Sequence, residues 1–340
     1  MKKISSSRRS FLRQSTIVTT GLITAPTILS GLYAAPGNPI KGVTLGVITY
    51  SFREQPDQSI EAILQSILDT GLRATELMGD TAEIYAGKPK NPVKMSELFS
   101  LWRTRSEGTL TDDQKKQLES LEAQNTEYRK ETSKWRASAS LKPFEKIKAM
   151  FDKAGVRIYA FKPDAFGKDN SEAESTFAFK AGKILGATHC TVEHPSNDVQ
   201  TLKLGTLALQ NGMKIAYHGH EQQTFTLWNT AVSQSKGNMI NIDLGHYVAA
   251  GNADGLKFMA DKHDRIASMH LKDRQSKEHG KANLEWGKGD TPIIGALQLM
   301  RDKKYTFPGT IELEYKIPDG STAVQEVKKC YEYAKKALMS

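Results

Sequence analysis

The chain lacks the features that would place it among disulfide-rich, membrane-spanning or nucleic-acid-binding proteins. Its 340 residues contain two cysteines, Cys190 and Cys330, which are too few for a disulfide framework. Beyond residue 40 no run is long and apolar enough to span a bilayer. Residues 1–40 contain five basic residues and no acidic one, and without them the net charge falls from +9 to +4. That remaining charge is weak support for nucleic-acid binding.

The acid-free start has the layout of an export signal. Residues 7–12, Ser-Arg-Arg-Ser-Phe-Leu, resemble the twin-arginine pattern, and a mostly apolar stretch follows at 17–32. The small residues Ala34 and Ala35 come next. We predict that residues 1–35 are a twin-arginine export signal cleaved near these alanines, which makes the mature protein periplasmic. An ordinary secretory signal and an uncleaved membrane anchor are the alternatives.

From residue 43 onward, strand-like and helix-like stretches alternate. Helical spacing of apolar residues at 59–70 ends at Gly71, and a similar stretch at 171–185 ends at Gly186. Eight apolar strand candidates lie at 43–50, 73–78, 156–162, 187–193, 214–218, 239–243, 266–270 and 309–314. Eight strands with interleaved helices are what a closed barrel requires. We therefore predict an α/β fold, a (β/α)8 TIM barrel, over residues 36–340.

One long polar interval interrupts this alternation after the second strand candidate. Residues 79–140 are rich in Lys, Glu, Gln and Ser, and Thr111-Asp-Asp-Gln114 is typical of a helix start. We predict a helical insertion that covers part of the barrel mouth. A solvated helical arm or a homodimer contact is the alternative.

Most of the later strand candidates end in a residue that can bind a metal or move a proton. In a parallel barrel the C-terminal strand ends form one ring, so such residues converge on one mouth. Carboxylate oxygen and imidazole nitrogen are ligands that divalent cations accept in proteins. We therefore predict a single metal site at this mouth, with ligands drawn from His218, Asp243, His270, Glu314 and Glu193.

Polar side chains beside these ends are candidates for substrate binding. His220 follows His218 by two residues, and His246 follows Asp243 by three, so both stay near the predicted rim. The motif Trp286-Gly-Lys-Gly289 offers a flexible loop that can lie over a sugar ring. We predict substrate contacts from His220, His246, Lys162, Glu76 and Trp286.

Several of these candidates also have a purely structural explanation. Asp243 has the position of a helix N-cap, His270 that of a hydrogen-bonded core histidine, and Glu193 that of a salt-bridged loop carboxylate. Glu312 and Glu314 share one face of the last strand. We expect Glu314, nearer the rim, to bind the metal, whereas the deeper Glu312 is left open as a ligand or as a buried partner of a ligand.

Four motifs together resemble the sugar phosphate isomerase/epimerase family, also called xylose-isomerase-like TIM barrels. The resemblance covers roughly residues 43–338 and rests on Asp243-Leu-Gly-His246, Met269-His-Leu-Lys-Asp273, Trp286-Gly-Lys-Gly289 and Glu314. It implies one divalent metal ion (Mn, Zn or Mg) held by carboxylates and histidines at the barrel mouth. It also implies a small carbohydrate substrate.

The chain departs from that family at the fifth strand. Epimerases of the family usually carry a glutamate there that is both ligand and base, whereas here Tyr217-His218-Gly219-His220 replaces Leu-Glu-Asn-His. A neutral imidazole removes one negative charge and one carboxylate base. Exported proteins with this histidine look similar to lyases that act on 3-keto-glycosides.

Both chemistries begin by removing a proton next to a carbonyl. We expect a metal-dependent sugar isomerase or epimerase in which Glu193, Glu314 and Lys162 take part in catalysis. A 3-keto-glycoside lyase or keto-sugar dehydratase is the first alternative, because expelling a β-substituent uses the same enolate. A non-catalytic sugar-binding protein is the second. No nucleic-acid partner is expected, and no stable membrane span after signal removal.

Overall fold

The computed structural model describes residues 39–340, so the predicted export signal and its cleavage site lie outside the described residues. The strands in this range are β1 (Leu45–Ile48), β2 (Ala74–Met78), β3 (Arg157–Lys162), β4 (His189–Glu193), β5 (Ile215–His218), β6 (Asn238–Asp243), β7 (Ile266–Leu271), β8 (Asp273–Arg274), β9 (Asn283–Leu284) and β10 (Gly309–Ile311).

Eight of these strands close into a parallel barrel in the order β1-β10-β7-β6-β5-β4-β3-β2. The remaining two, β8 and β9, form a small antiparallel pair beside it. Helices follow the barrel strands, which confirms the predicted (β/α)8 TIM barrel. The last barrel strand ends at Ile311, three residues before the predicted end.

The helices are α1 (Ile60–Thr70), α2 (Gly79–Tyr85), α3 (Met95–Ser106), α4 (Asp112–Ser138), α5 (Lys142–Lys153), α6 (Glu172–Leu185), α7 (Asp198–Gln210), α8 (Asn229–Gln234), α9 (Leu244–Ala249), α10 (Gly255–Lys262), α11 (Ile293–Asp302) and α12 (Ala323–Met339). Local sequence explains several ends. The Ser59 side chain accepts a hydrogen bond from the Ala62 amide at the start of α1, and Gly71 ends that helix at φ 86°. Ser171 and Glu174 form a capping box at α6.

The apolar core fills the space between the strands and the surrounding helices. Phe144 on α5 packs edge-to-face against Phe161 on β3 and Phe177 on α6, with ring centroids 6.3 and 5.8 Å apart. Both cysteines are buried free thiols. Among the described residues, no helix combines the length and apolar content needed to cross a membrane.

The polar interval after β2 folds into α2, α3 and α4. A small apolar cluster of its own holds α3 and α4 together. One buried cation ties α4 to the barrel: Arg136 donates to both oxygens of Glu83 on α2, each at 2.9 Å, and to Glu174 on α6 at 3.3 Å. Such a bidentate guanidinium–carboxylate pair fixes position as well as charge.

Strand register sets which polar side chains meet at the barrel mouth. Glu193 on β4 lies opposite His218 on β5, and Asp243 on β6 lies opposite His270 on β7. His270 is also opposite Thr310 on β10, two residues before Glu312. Because side chains alternate along a strand, these ends point toward the same interior space.

Candidate active site

Four buried side chains converge at the C-terminal end of the barrel. His218, Asp243, His270 and Glu312 each offer a ligand atom, and these atoms all lie within 4.8 Å of one another. They come from β5, β6, β7 and the residue after β10, so four neighbouring strands build the group. We call these four residues the donor cluster.

A hydrogen bond behind the ring sets the orientation of His218. Its Nδ1 donates to Asn241 Oδ1 at 2.7 Å, which leaves the Nε2 lone pair on the side of the donor cluster, 4.0 Å from Asp243 Oδ2. Burial, reinforced by the positive charge of Lys162, lowers the pKa of His218 to about 3. The ring is therefore neutral, as a metal-binding imidazole must be.

His270 is held between two carboxylates. Its Nε2 donates to Glu76 Oε2 at 2.8 Å and its Nδ1 to Glu312 Oε2 at 2.9 Å. Burial alone would lower the pKa of His270, but the two carboxylates raise it to about 10. A carboxylate behind a histidine ring is the usual support for a metal-binding histidine. A cation at Nδ1 would replace the proton that now bonds to Glu312.

Asp243 supplies an oxygen that lacks a hydrogen bond. Its Oδ1 accepts from the His246 amide at 2.8 Å and so caps α9, while its Oδ2 is buried with no hydrogen-bond partner among residues 39–340. Lys272 Nζ lies 3.0 Å from this oxygen, but not in hydrogen-bonding geometry. This ammonium supplies charge but no hydrogen bond, so Asp243 Oδ2 keeps a lone pair that can bind a cation. The mixed nitrogen and oxygen donors therefore fit a divalent metal ion.

The buried ammonium of Lys272 supplies positive charge to the cluster. Its Nζ lies 2.8 Å from Glu312 Oε2 and 2.6 Å from Glu314 Oε2. Burial alone would lower the pKa of Lys272, but Asp243 and the two glutamates raise it. We did not predict this residue, although its position two residues after His270 on an alternating strand could have indicated it.

Glu193, Lys162 and His220 form an ion-paired group at the open rim. Glu193 Oε1 accepts from Lys162 Nζ at 2.7 Å, and Oε2 lies 2.9 Å from His220 Nε2. Burial alone would raise the pKa of Glu193, but the charge of Lys162 and the hydrogen bond from His220 hold it well below its usual range. The hydrogen bond to Glu193 raises the pKa of His220. Half of the Glu193 side chain, 51%, remains exposed.

His246 is positioned by an arginine and stacks on His220. Arg274 Nη1 donates to His246 Nδ1 at 2.6 Å, so the proton of the neutral ring is on Nε2. The rings of His246 and His220 are 4.5 Å apart and nearly parallel, at 28°. Burial first, and then the charge of Lys272, lowers the pKa of His246 to about 2. Its Nε2 is buried and has no hydrogen-bond partner in the described part of the chain.

The structure places three predicted site residues differently from our expectation. Glu312, not Glu314, belongs to the donor cluster, because Glu314 accepts from Lys272 farther out. Glu193 stands beside the cluster rather than within it. Glu76 is fully buried behind His270, where it also accepts from Thr191 at 2.5 Å, so it faces a ring instead of the open mouth.

Trp286 lies apart from this group. Its ring packs edge-to-face on Tyr333 of α12, with centroids 5.8 Å apart. The glycine loop around it wraps the carboxylate of Asp273, which accepts from the amides of Gly287 and Gly289 at 2.7 and 3.0 Å. The expected contact of Trp286 with a sugar ring therefore has no support from its present packing.

Comparison with known proteins gives a partial sequence match. No model of a known protein family matches the chain. A segment of 118 residues is 30% identical to an inosose dehydratase from Clostridium perfringens strain 13. This match spans 33% of the chain and 37% of that relative, so it covers little more than a third of the curated protein.

Solved structures resemble the whole barrel. A sugar phosphate isomerase/epimerase from Parabacteroides distasonis is similar with a TM-score of 0.55 at 15% identity, over 86% of this chain and 95% of that one. A 3-keto-D-glucoside 4-epimerase from E. coli is similar with a TM-score of 0.57 at 10% identity, over 86% and 99%. At such identities the likeness establishes the fold.

Proposed function

We propose that this protein is a metal-dependent enzyme that removes a proton from the carbon next to the carbonyl of a sugar, as an isomerase or epimerase. The observation that carries the proposal is the buried donor cluster, four ligand atoms within 4.8 Å of one another at the barrel mouth. Active sites of this barrel type lie at that end. The likeness to a sugar phosphate isomerase/epimerase and a 3-keto-D-glucoside 4-epimerase supports a sugar as substrate.

One divalent cation (Mn, Zn or Mg) is proposed at the donor cluster, bound by His218, Asp243, His270 and Glu312. When bound, it supplies positive charge next to the oxygen on which negative charge develops during proton removal. Lys272 adds a second positive charge there, since its ammonium contacts Glu312 and Glu314.

Glu193 is the proposed base. Its carboxylate is ionised, half exposed and held at the rim by Lys162 and His220. An ionised carboxylate at this place can accept the proton from carbon, and the adjacent His220 Nε2–H can deliver one to oxygen. His246 is proposed to orient the substrate, because its buried Nε2–H is free to donate to a hydroxyl oxygen.

A second candidate is elimination, as in a keto-sugar dehydratase or a 3-keto-glycoside lyase. The observation in its favour is His218, which occupies the place where epimerases of the resembling family carry a second carboxylate base. With one carboxylate base at the rim, returning the proton to the opposite face is harder than expelling a β-substituent. The partial match to an inosose dehydratase agrees with this candidate.

Proton exchange in D2O tests the step that both candidates share. The purified protein, loaded with Mn or Zn, is incubated with free ketoses and with a 3-keto-glycoside, and the products are followed by NMR. A new epimer or isomer carrying deuterium supports the first candidate; release of water or of the aglycone supports the second. Protein that retains no metal after this loading and binds sugar without proton exchange would contradict both candidates and indicate a sugar-binding protein.

A variant distinguishes the base from the metal site. Glu193→Gln should abolish exchange while metal content stays at the wild-type level, whereas His270→Ala should lower both. Loss of metal in Glu193→Gln would contradict its assignment as a base outside the donor cluster.

We also propose that the protein acts in the periplasm after twin-arginine export. The support is the sequence of residues 7–12 and the small residues Ala34 and Ala35. Mass spectrometry of the exported protein should find a new N-terminus next to these alanines, and a cell fraction in which all protein keeps Met1 would contradict it.

A further inference from the structure

A cavity opens at the N-terminal end of the barrel strands, opposite the donor cluster. It has a volume of about 770 Å³ and is lined by residues from the N-terminal ends of several barrel strands and from the loop between α11 and β10. Thr188 and His189, at the start of β4, line it, as does Lys214, just before β5. None of the donor-cluster residues lines this cavity, so it is separate from the site described above.

The charge of this lower cavity is strongly one-sided. Arg157, Lys214, Lys303 and Lys304 line it, against the single carboxylate of Asp264. Within residues 39–340, none of the four cations forms an ion pair or donates a side-chain hydrogen bond, unlike Lys162, which pairs with Glu193. Cations gathered around one cavity without carboxylate partners favour an anion.

An aromatic wall adds an apolar surface next to these charges. Tyr305 stacks on His263, with ring centroids 4.9 Å apart and planes at 13°, and lies 5.5 Å from Phe307. Flat rings beside a set of cations can hold the carbon part of a ligand while the cations hold its charged end. We propose that the lower cavity binds a small organic anion with two negative charges on a ring-bearing or apolar body.

Isothermal titration of the purified full chain with phenyl phosphate and with phthalate tests this site; both probes carry two charges and a ring, one as phosphate and one as carboxylate. The double variant K303Q/K304Q should weaken binding of the preferred probe by about tenfold or more, since hydrogen bonds to charged groups are lost. The matched control is Lys116→Gln, an exposed lysine on α4, which should leave binding unchanged.

The two probes report which anion class the cavity takes. Binding of one probe but not of neutral phenol, with loss in the double variant, supports the proposal. Absence of binding by both, or equal binding by the double variant and the control, overturns it. Because the substituted lysines are exposed, both variants should fold, and circular dichroism checks this.

A separate observation inside the barrel carries a second inference. A chain of hydrogen-bonded, buried polar side chains leads from the donor cluster toward the lower end of the barrel. His218 Nδ1 lies 2.7 Å from Asn241 Oδ1, and Asn241 Nδ2 donates to Ser268 Oγ at 2.7 Å. Ser268 Oγ in turn lies 2.9 Å from His189 Nε2. The His189 Nδ1 then meets Thr188 Oγ1 at 2.9 Å.

The hydrogen bonds of this chain of side chains all follow from one choice of donor and acceptor at Thr188. The Thr188 hydroxyl donates to the Tyr159 carbonyl at 3.1 Å, so its oxygen accepts from His189 Nδ1–H. His189 Nε2 then accepts from the Ser268 hydroxyl, whose oxygen accepts from the Asn241 amide. The amide oxygen is left to accept from His218 Nδ1–H. In this arrangement each of these side chains has its hydrogen bonds satisfied.

We infer that Asn241, Ser268 and His189 are positioning residues that keep the proton of His218 on Nδ1. The Nε2 lone pair then faces the donor cluster before any cation arrives. This inference rests on the proposed metal site, but its effect on the His218 ring exists in the metal-free protein as well.

Nitrogen NMR of the metal-free, 15N-histidine-labelled protein shows directly which ring nitrogen of His218 carries the proton. Wild type should show His218 protonated on Nδ1; Asn241→Leu should shift the proton toward Nε2 and weaken zinc binding by about tenfold or more. Ser268→Ala, a smaller change, should shift the proton in the same direction. A wild-type proton on Nε2, or an Nδ1 proton unchanged in both variants, overturns the inference even if the enzyme binds metal.

Discussion

Two positive charges can stabilise the carboxylates of the donor cluster: the Lys272 ammonium and a bound divalent cation. Replacing Lys272 by methionine removes the first and leaves the second. The Lys272 ammonium is buried, with side-chain exposure of 3%, and lies 3.0, 2.8 and 2.6 Å from oxygens of Asp243, Glu312 and Glu314. Methionine keeps most of the side-chain volume but removes the charge. In the metal-free protein the carboxylates are then left to repel one another.

The expected cost follows from the burial of this pair. Removing one partner of a buried ion pair costs about 3–5 kcal/mol, because the remaining charge is uncompensated. At about 2 °C for each kcal/mol in a domain of this size, metal-free Lys272→Met should melt roughly 6–10 °C below wild type. A bound divalent cation would compensate the same oxygens, so the variant should gain more from metal than wild type does.

Thermal melting of the metal-free proteins, followed by titration with Mn or Zn, measures both effects. Lys288→Met is the matched control, since the Lys288 side chain is 64% exposed and pairs with Glu285 at the surface; the Tm of this variant should change by less than about 2 °C. A metal-free Lys272→Met that melts within about 2 °C of wild type would refute the reasoning. So would a smaller gain from metal than wild type shows.

Three further predictions concern the rim, the lower end of the barrel and the insertion. Glu193→Gln removes the carboxylate that raises the pKa of His220, so the His220 pKa measured by NMR should fall; an unchanged value would contradict the pairing. Burial lowers the pKa of His189 to about 4, so the unfolded chain binds a proton that the folded protein excludes between pH 6.5 and 4. His189 alone should therefore account for a fall of about 3 kcal/mol as the pH drops through that window, and His189→Gln should remove that share of the pH dependence in urea unfolding. Arg136→Met should cost about 3–5 kcal/mol in the same assay, against less than about 1 for the exposed Arg105→Met; equal costs would count against a buried anchor for α4.

The strand ends were the predictable part of the site. Short apolar stretches between helical patterns located the eight strands, and a barrel brings all their C-terminal ends to one mouth. His218, Asp243 and His270 each end or nearly end such a strand, so their convergence follows from the strand pattern and the barrel fold.

The choice between Glu312 and Glu314 depended on depth, which alternation does not determine. Both residues have the same parity, and the strand stops at Ile311. What places Glu312 in the donor cluster is the Nδ1 of His270 at 2.9 Å, while Lys272 holds Glu314 nearer the rim. These are contacts between strands, and no local pattern encodes their distances.

Two other outcomes were decided by partners distant in the chain. Glu76 lies in the middle of β2, two residues deeper than Met78, and there it contacts His270, a partner 194 residues away. Trp286 sits in a glycine-rich loop that suggested a flexible cover, but Tyr333 on the last helix provides its packing surface. Neither partner is visible in the local sequence.

Anomalous scattering from crystals of the protein grown with Mn or Zn, together with elemental analysis in solution, tests the central claim most directly. We expect about one divalent cation for each chain, with a single peak about 2.0–2.3 Å from donor atoms of His218, Asp243, His270 and Glu312. Protein that holds no stoichiometric metal, or a peak coordinated by Glu193 and Glu314 away from these four residues, would contradict it.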